Sequence, residues 1–147
     1  MRLWVLAVAL LGAGSCGVTE AKRVEIVAAP PTGDVAGLVR AELARAAHDQ
    51  RSLLVYVGAT WCEPCRRFHE AAKAGKLDKL FPELRLYELD ADRDAERLAT
   101  AGYASHFIPL FARPGPDGRA SGKQIEGSVK GDGAVGEIAP RLRALLQ

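Results

Sequence analysis

The chain has 147 residues, 48% of them hydrophobic and 26% charged, with a formal net charge of +2. That length suits one domain with a real core. The charges are interspersed rather than blocked, so nucleic-acid binding has no electrostatic footprint.

The N-terminal stretch "MRLWVLAVALLGAGSC" has one basic residue, Arg2, then an apolar run from Leu3 to Leu11 or Ala13. Spanning a bilayer takes about 20 apolar residues, and this run has instead the roughly 7–15-residue length of a signal-peptide core. Residues 1–15 are therefore read as an export signal. "AGSC" at 13–16 resembles a bacterial lipobox, with Cys16 as the lipidated first residue of the mature chain, although leucine is usual where Ala13 stands. Cleavage after Ala21, with small residues at Thr19 and Ala21, would discard Cys16, and an uncleaved anchor is the third option. Lipidation is preferred, because an odd cysteine in an exported chain otherwise needs a reason.

Residues 16–33 read as a tether running into a possible first strand. "VEIVA" at 24–28 alternates like a short edge strand, and Pro30, Pro31 and Gly33 stop it. Asp34 is a good N-cap for a helix over 35–47, where Val35, Leu38, Val39, Leu43 and Ala46 keep helical spacing. "SLLVYVG" at 52–58 is nearly all apolar, the pattern of a central strand buried on both faces. A helix is expected from Cys62 to Leu80 with Pro64 in its first turn, where a missing N–H costs nothing. "LRLYELDAD" at 84–92 reads as a strand and "RDAERLATAGY" as a short helix ending near Gly102. "IPLFARP" and "KQIEGSV" read as two strands joined by a hairpin loop with Asp117-Gly118 at its tip. A last helix starts near Asp132 and should kink or restart at Pro140. The fold class is α/β, with residues 34–147 as the domain: a central mixed sheet of four or five strands flanked by helices, ending in a β-hairpin and a helix.

Two of the three cysteines, Cys62 and Cys65, lie in "TWCEPC". They fall just past the C-terminal end of the central strand, at a helix start, the edge where open α/β sheets place reactive groups. Unpaired N–H groups and the partial positive charge of a helix start favour a thiolate. They bring a cysteine pKa from about 8.5 to roughly 3.5–7.5. Arg66 and Arg67 in the following turn add positive charge. The spacing puts Cys62 at an exposed lip as nucleophile and Cys65 inward as resolving thiol.

A strand, "WCEPC", a helix and a later "IP" before a hairpin resemble the thioredoxin superfamily, over about residues 35–147. The "CEPC" form is similar to exported, membrane-tethered thioredoxin-like proteins that reduce apocytochrome c or similar clients. Residues 62–103 also resemble the terminal domain of transmembrane disulfide reductases. The resemblance implies a cis bond between Ile108 and Pro109 lying against the cysteine pair, with Ile108 offering backbone groups to a client segment. It also implies that Trp61, read as a packing residue, shapes the client surface. Cytosolic thioredoxins carry a buried aspartate six residues before the first cysteine, where this chain has Tyr56, a poor base at neutral pH. Glu63 is a candidate replacement acceptor, or simply raises the neighbouring thiol pKa.

The implied function is a thiol–disulfide oxidoreductase of the cell envelope, at the periplasmic face of a bacterial membrane, in the reducing direction. It would need no metal or organic cofactor. Its partners would be cysteine-containing envelope proteins and a membrane electron donor or acceptor, and the chain would be a monomer. The alternative is a copper-handling protein in which Cys62 and Cys65 hold Cu(I). A static disulfide is disfavoured, since so short a loop constrains the chain little. His69 reads as an exposed helix residue, because structural zinc needs four ligands and no second cluster is visible. His106 reads as a solvated loop residue near Pro109, Tyr56 as core, and "DADRD" at 90–94 as a strand end and helix cap rather than a calcium loop.

Overall fold

The computed structural model describes residues 22–147, so the expectations for the signal segment and for Cys16 lie outside the described residues. The elements follow in the order β1 (Glu25–Ala28), α1 (Val35–His48), β2 (Ser52–Gly58), α2 (Glu63–Lys73), β3 (Leu84–Asp90), α3 (Ala95–Thr100), β4 (Leu110–Pro114), β5 (Ala120–Glu126) and α4 (Ala134–Leu146). They build one mixed sheet of order β1-β3-β2-β4-β5. β1, β3 and β2 run parallel. β4 and β5 join antiparallel to them and to each other.

The near-continuous apolar run of β2 follows from its central place. Val55 and Val57 pack with Val35, Val39 and Leu98 on the α1/α3 side. Leu54 and Tyr56 pack with Phe68, Ile138 and Leu142 on the α2/α4 side. Each such side chain, fully buried, contributes roughly 1.5–3 kcal/mol of transfer free energy. β1, as expected, is a short edge strand, and its register runs from Glu25 opposite Arg85 to Ala28 opposite Glu88.

Local chemistry sets most of the boundaries. The Asp34 carboxylate accepts from the Gly37 N–H at 2.7 Å and caps α1. α2 stops at Lys73 rather than near Leu80. Gly75 adopts a positive φ of 73°, its N–H bonds to the Ala72 carbonyl, and the Lys76 N–H bonds to the Ala71 carbonyl. These two bonds form a Schellman closure that satisfies the last carbonyls, and the apolar residues that follow reach the core from turns. α4 begins at Ala134 and runs through Pro140 without restarting. Ile138 and Leu142 are wholly buried on either side of that proline, so packing outweighs the lost hydrogen bond. At the Asp117-Gly118 tip Asp117 is exposed but Gly118 is buried against α1. Gly118 has a φ of 82°, a Cβ there would collide with the Ala36 carbonyl of α1, and its own carbonyl accepts from Tyr103 Oη at 2.8 Å.

Asp94 occupies the N-cap position of α3, but its side chain makes no capping bond. It turns back instead, accepting from the Asp90 N–H, Arg93 and Arg97. Burial works to raise its pKa, but Arg93, the Asp90 N–H and Arg97 together outweigh it and bring the carboxyl down to about 2. A depressed folded-state pKa gives stability that is present above the unfolded value and lost as pH falls through the folded one. The stability gap between wild type and Asp94→Asn, followed by urea unfolding, should therefore narrow by about 2 kcal/mol between about pH 5 and pH 2. A gap that stays constant over that range would show that the Asp94 pairs add no pH-dependent stability.

Candidate active site

β2 ends at Gly58, and Ala59, Thr60 and Trp61 carry the chain to Cys62 at the N-cap of α2. Cys62 has extended backbone, φ −77° and ψ 108°, and its Sγ accepts from the Cys65 N–H at 3.3 Å. Cys62 and Cys65 form a disulfide, with Cα atoms 5.3 Å apart. Pro64 lies in the first turn as expected. Cys65 is 3% exposed, as an inward residue should be, but Cys62 is only 4% exposed and not at a lip. The cause is the cap itself: the Cys62 sulfur turns in over the helix start, toward the Cys65 amide and sulfur.

The bond between Ile108 and Pro109 is cis. Pro109 directly precedes Leu110, which pairs with Val57 of β2, so it lies at the sheet edge from which the cysteine turn leaves. The Pro109 carbonyl accepts from the Gly127 N–H at 3.0 Å, fixing the start of β4 against the end of β5. Trp61 and Phe107, just before the cysteine pair and just before Ile108, are both 67% exposed. Trp61 is therefore not a packing residue; its indole N–H donates to Asp92 at 2.7 Å, which holds the ring outward. His106 is exposed, as expected.

Tyr56 is 1% exposed. It stacks on Phe111 and touches Phe68, and its hydroxyl donates to the Cys65 carbonyl at 3.4 Å. Burial, helped by the negative charge of Glu88, pushes its pKa well above the usual phenol value, so it stays protonated. Glu63 is no more available as a base. Its carboxylate accepts from the Gly131 N–H at 2.9 Å and from Arg67 at 3.1 Å. The Gly131 hydrogen bond and then Arg67 hold it below the usual carboxylate range. Arg67 also reaches Asp132, so its charge is turned away to the segment before α4.

An open cavity of about 470 Å³ lies behind the disulfide, between α2 and β3, lined by Tyr56, Cys65, His69 and Glu88 among others. His69 is half-buried and not a free helix residue: its Nε2 stands 3.3 Å from Glu88 Oε1. No group of three or more metal-ligating side chains occurs among the described residues. Among the described residues, too, no helix is long and apolar enough to cross a membrane.

No protein-family model matches the chain, and no curated protein matches it in sequence. Solved structures do match. Thioredoxin O1 from Arabidopsis thaliana, in its oxidized state, superposes over 84% of this chain and 99% of its own, with a TM-score of 0.51 at 17% identity. The fold is thioredoxin-like. A mutant thioredoxin from Halobacterium salinarum covers 88% of this chain and 93% of its own at 17% identity, with a TM-score of 0.48. Oxidised thioredoxin from Plasmodium falciparum covers 82% and 98%, also at 17% identity, with a TM-score of 0.45.

On this thioredoxin-like frame the residues read from sequence fall into two groups. Trp61, Cys62, Glu63, Pro64 and Cys65 form one continuous turn, and Ile108 and Pro109 share its sheet edge. Tyr56 lies beneath it. The His69–Glu88 pair and the Asp92 contact to Trp61 are absent from the sequence reading. Their signals are present in the chain: His69 is one helical turn from Cys65, and Glu88 is a charge between Tyr87 and Leu89 in β3.

Proposed function

We propose that the chain is a thiol–disulfide oxidoreductase of the cell envelope that reduces protein disulfides through Cys62 and Cys65. The observation that carries this reading is the disulfide closed across the first turn of α2, at the sheet edge it shares with Pro109. In the reduced chain the start of α2 favours the Cys62 thiolate. That thiolate attacks a client disulfide, and Cys65 resolves the mixed disulfide to release the client dithiol. The chemistry then needs no metal or organic cofactor. The exposed faces of Trp61 and Phe107 suit an extended client segment laid across the turn.

Clients are cysteine-containing envelope proteins, and electrons come from a membrane partner. The signal-like segment at 1–15 and Cys16 support export and a lipid anchor at the periplasmic face, and the chain works as a monomer. Holding Cu(I) would need both thiolates at once, whereas a closed disulfide is the oxidised half of a redox couple, which favours the oxidoreductase reading.

The reducing direction rests on the "CEPC" resemblance and has a direct test. Equilibration of the pair with a thiol–disulfide buffer should give a potential near about −270 mV. A value near about −120 mV, that of a strong oxidant, would reverse the direction.

A further inference from the structure

Cys65 can resolve a mixed disulfide only after losing a proton, and the two nearest candidates for that task do not serve it. Tyr56 is held protonated by burial. The Glu63 carboxylate is engaged by Gly131 and Arg67.

We infer that His69, oriented by Glu88, accepts the Cys65 proton during resolution and returns it in the reverse step; this rests on the disulfide exchange proposed above. Three placements carry the inference. His69 follows Cys65 by four residues on α2, so the two share a helix face, and helical side chains lean toward the N-terminus, over the turn that bears Cys65. Glu88 is the register partner of Tyr56 on the adjacent parallel strand, so both project to the α2 side of the sheet. Tyr56, Cys65, His69 and Glu88 then line one open cavity of about 470 Å³, ample for a water that carries the proton where His69 does not reach the sulfur itself.

The other charges around the cavity come from two elements and the turn after β3. Arg66, Glu70 and Lys73 belong to α2, Asp90 ends β3, and Arg93 follows it. Arg93 is committed to Asp94, and among the described residues Glu88 is the carboxylate at ion-pair distance from His69. With Nε2 turned to Glu88, Nδ1 is the accepting nitrogen. Cys65 Sγ–H gives its proton to His69, and the Cys65 Sγ–Cys62 Sγ bond forms. The bond from Cys62 Sγ to the client sulfur breaks, and its electron pair leaves on the client as a thiolate. The client is reduced by two electrons and the cysteine pair is oxidised by two. Glu88 is a positioning residue, since it acts through His69.

The test mixes the fully reduced chain with an excess of a peptide carrying one internal disulfide, quenches with acid, and separates mixed disulfide from the closed Cys62–Cys65 form. His69→Gln and Glu88→Gln should each slow conversion of mixed disulfide to closed form by about tenfold or more near pH 7. The deficit should shrink as pH rises and hydroxide takes over the deprotonation. In a Cys65→Ser background the same substitutions should leave the rate of mixed-disulfide formation within about twofold. Wild-type resolution at pH 7 in both variants, or a slowing that is equal at every pH, overturns the relay while leaving the oxidoreductase reading intact. A reduced wild-type chain that forms no mixed disulfide overturns both.

Discussion

Cys65→Ser should leave the chain linked to a client as a stable mixed disulfide, and Cys62→Ser should form no such adduct and show no turnover above background. Both outcomes follow from where the sulfurs lie. Cys62 ends the turn that follows β2 and caps α2, where its sulfur already accepts an amide hydrogen bond from Cys65. A thiolate there keeps that bond and gains the field of the helix start. Cys65 is inside the first turn, with its carbonyl tied to Tyr56. Exposure does not separate the two sulfurs, at 4% and 3%; the field of the helix start makes Cys62 the expected attacking thiolate, and Cys65 is left to attack the bond so formed. Removing the inner thiol therefore removes release and not capture. The check is a non-reducing gel of cells producing the variant, in which high-mass adducts should collapse on adding dithiothreitol. Adducts that form equally with Cys62→Ser would reassign the nucleophile. Absence of any adduct with Cys65→Ser would leave disulfide exchange with protein clients without support.

Arg85→Ala should cost about 3–5 kcal/mol of folding stability, the cost of stranding a buried charge. Arg85 is 9% exposed at its side chain and spends all three guanidinium nitrogens on carboxylates: Nε on Glu25 at 2.7 Å, Nη1 on Glu42 at 3.2 Å and Nη2 on Asp49 at 2.7 Å. Those partners belong to β1, to α1 and to the residue that ends α1. One side chain of β3 therefore ties the edge strand and the first helix to the sheet. Glu42, 3% exposed, would keep only Arg45, whose own side chain is 68% exposed. Urea unfolding should show a lower midpoint at unchanged slope. Pairing the change with a neutral partner, as Arg85→Met with Glu42→Leu, should recover most of the loss, because an apolar pair of similar volume needs no charge partner. A single Arg85→Ala costing under about 1 kcal/mol would place this network with surface pairs of little consequence.

The parts of the fold legible in sequence are those set by short-range patterns. The unbroken apolar run of β2 announces a strand covered on both faces, and with it the sheet edge from which the cysteines emerge. Asp34 marks the start of α1, whereas the cis bond before Pro109 is implied only by the family resemblance that "WCEPC" and the later "IP" carry. The parts not legible are decided between residues far apart in the chain. Nothing near Glu63 announces its bond to Gly131, 68 residues on. Nothing near His69 announces Glu88, which register with β2 brings beneath α2. The end of α2 differs for another reason. Apolar residues continue to Leu80 in helical spacing, but the left-handed conformation of Gly75 stops the helix before them.

The bond between Glu63 and Gly131 changes what an exchange of the two inner residues can mean. In a CxxC turn that dipeptide is the natural place to tune a potential, since it lies nearest the sulfurs. Here half of it also moors the segment that leads into the last helix, with Arg67 and Asp132 in the same mooring. Substituting Glu63 would alter charge beside Cys62 and loosen a long-range tether together. A dipeptide transplanted from another protein would not bring its donor's potential with it. The setting would depend on how the loop before α4 resettles.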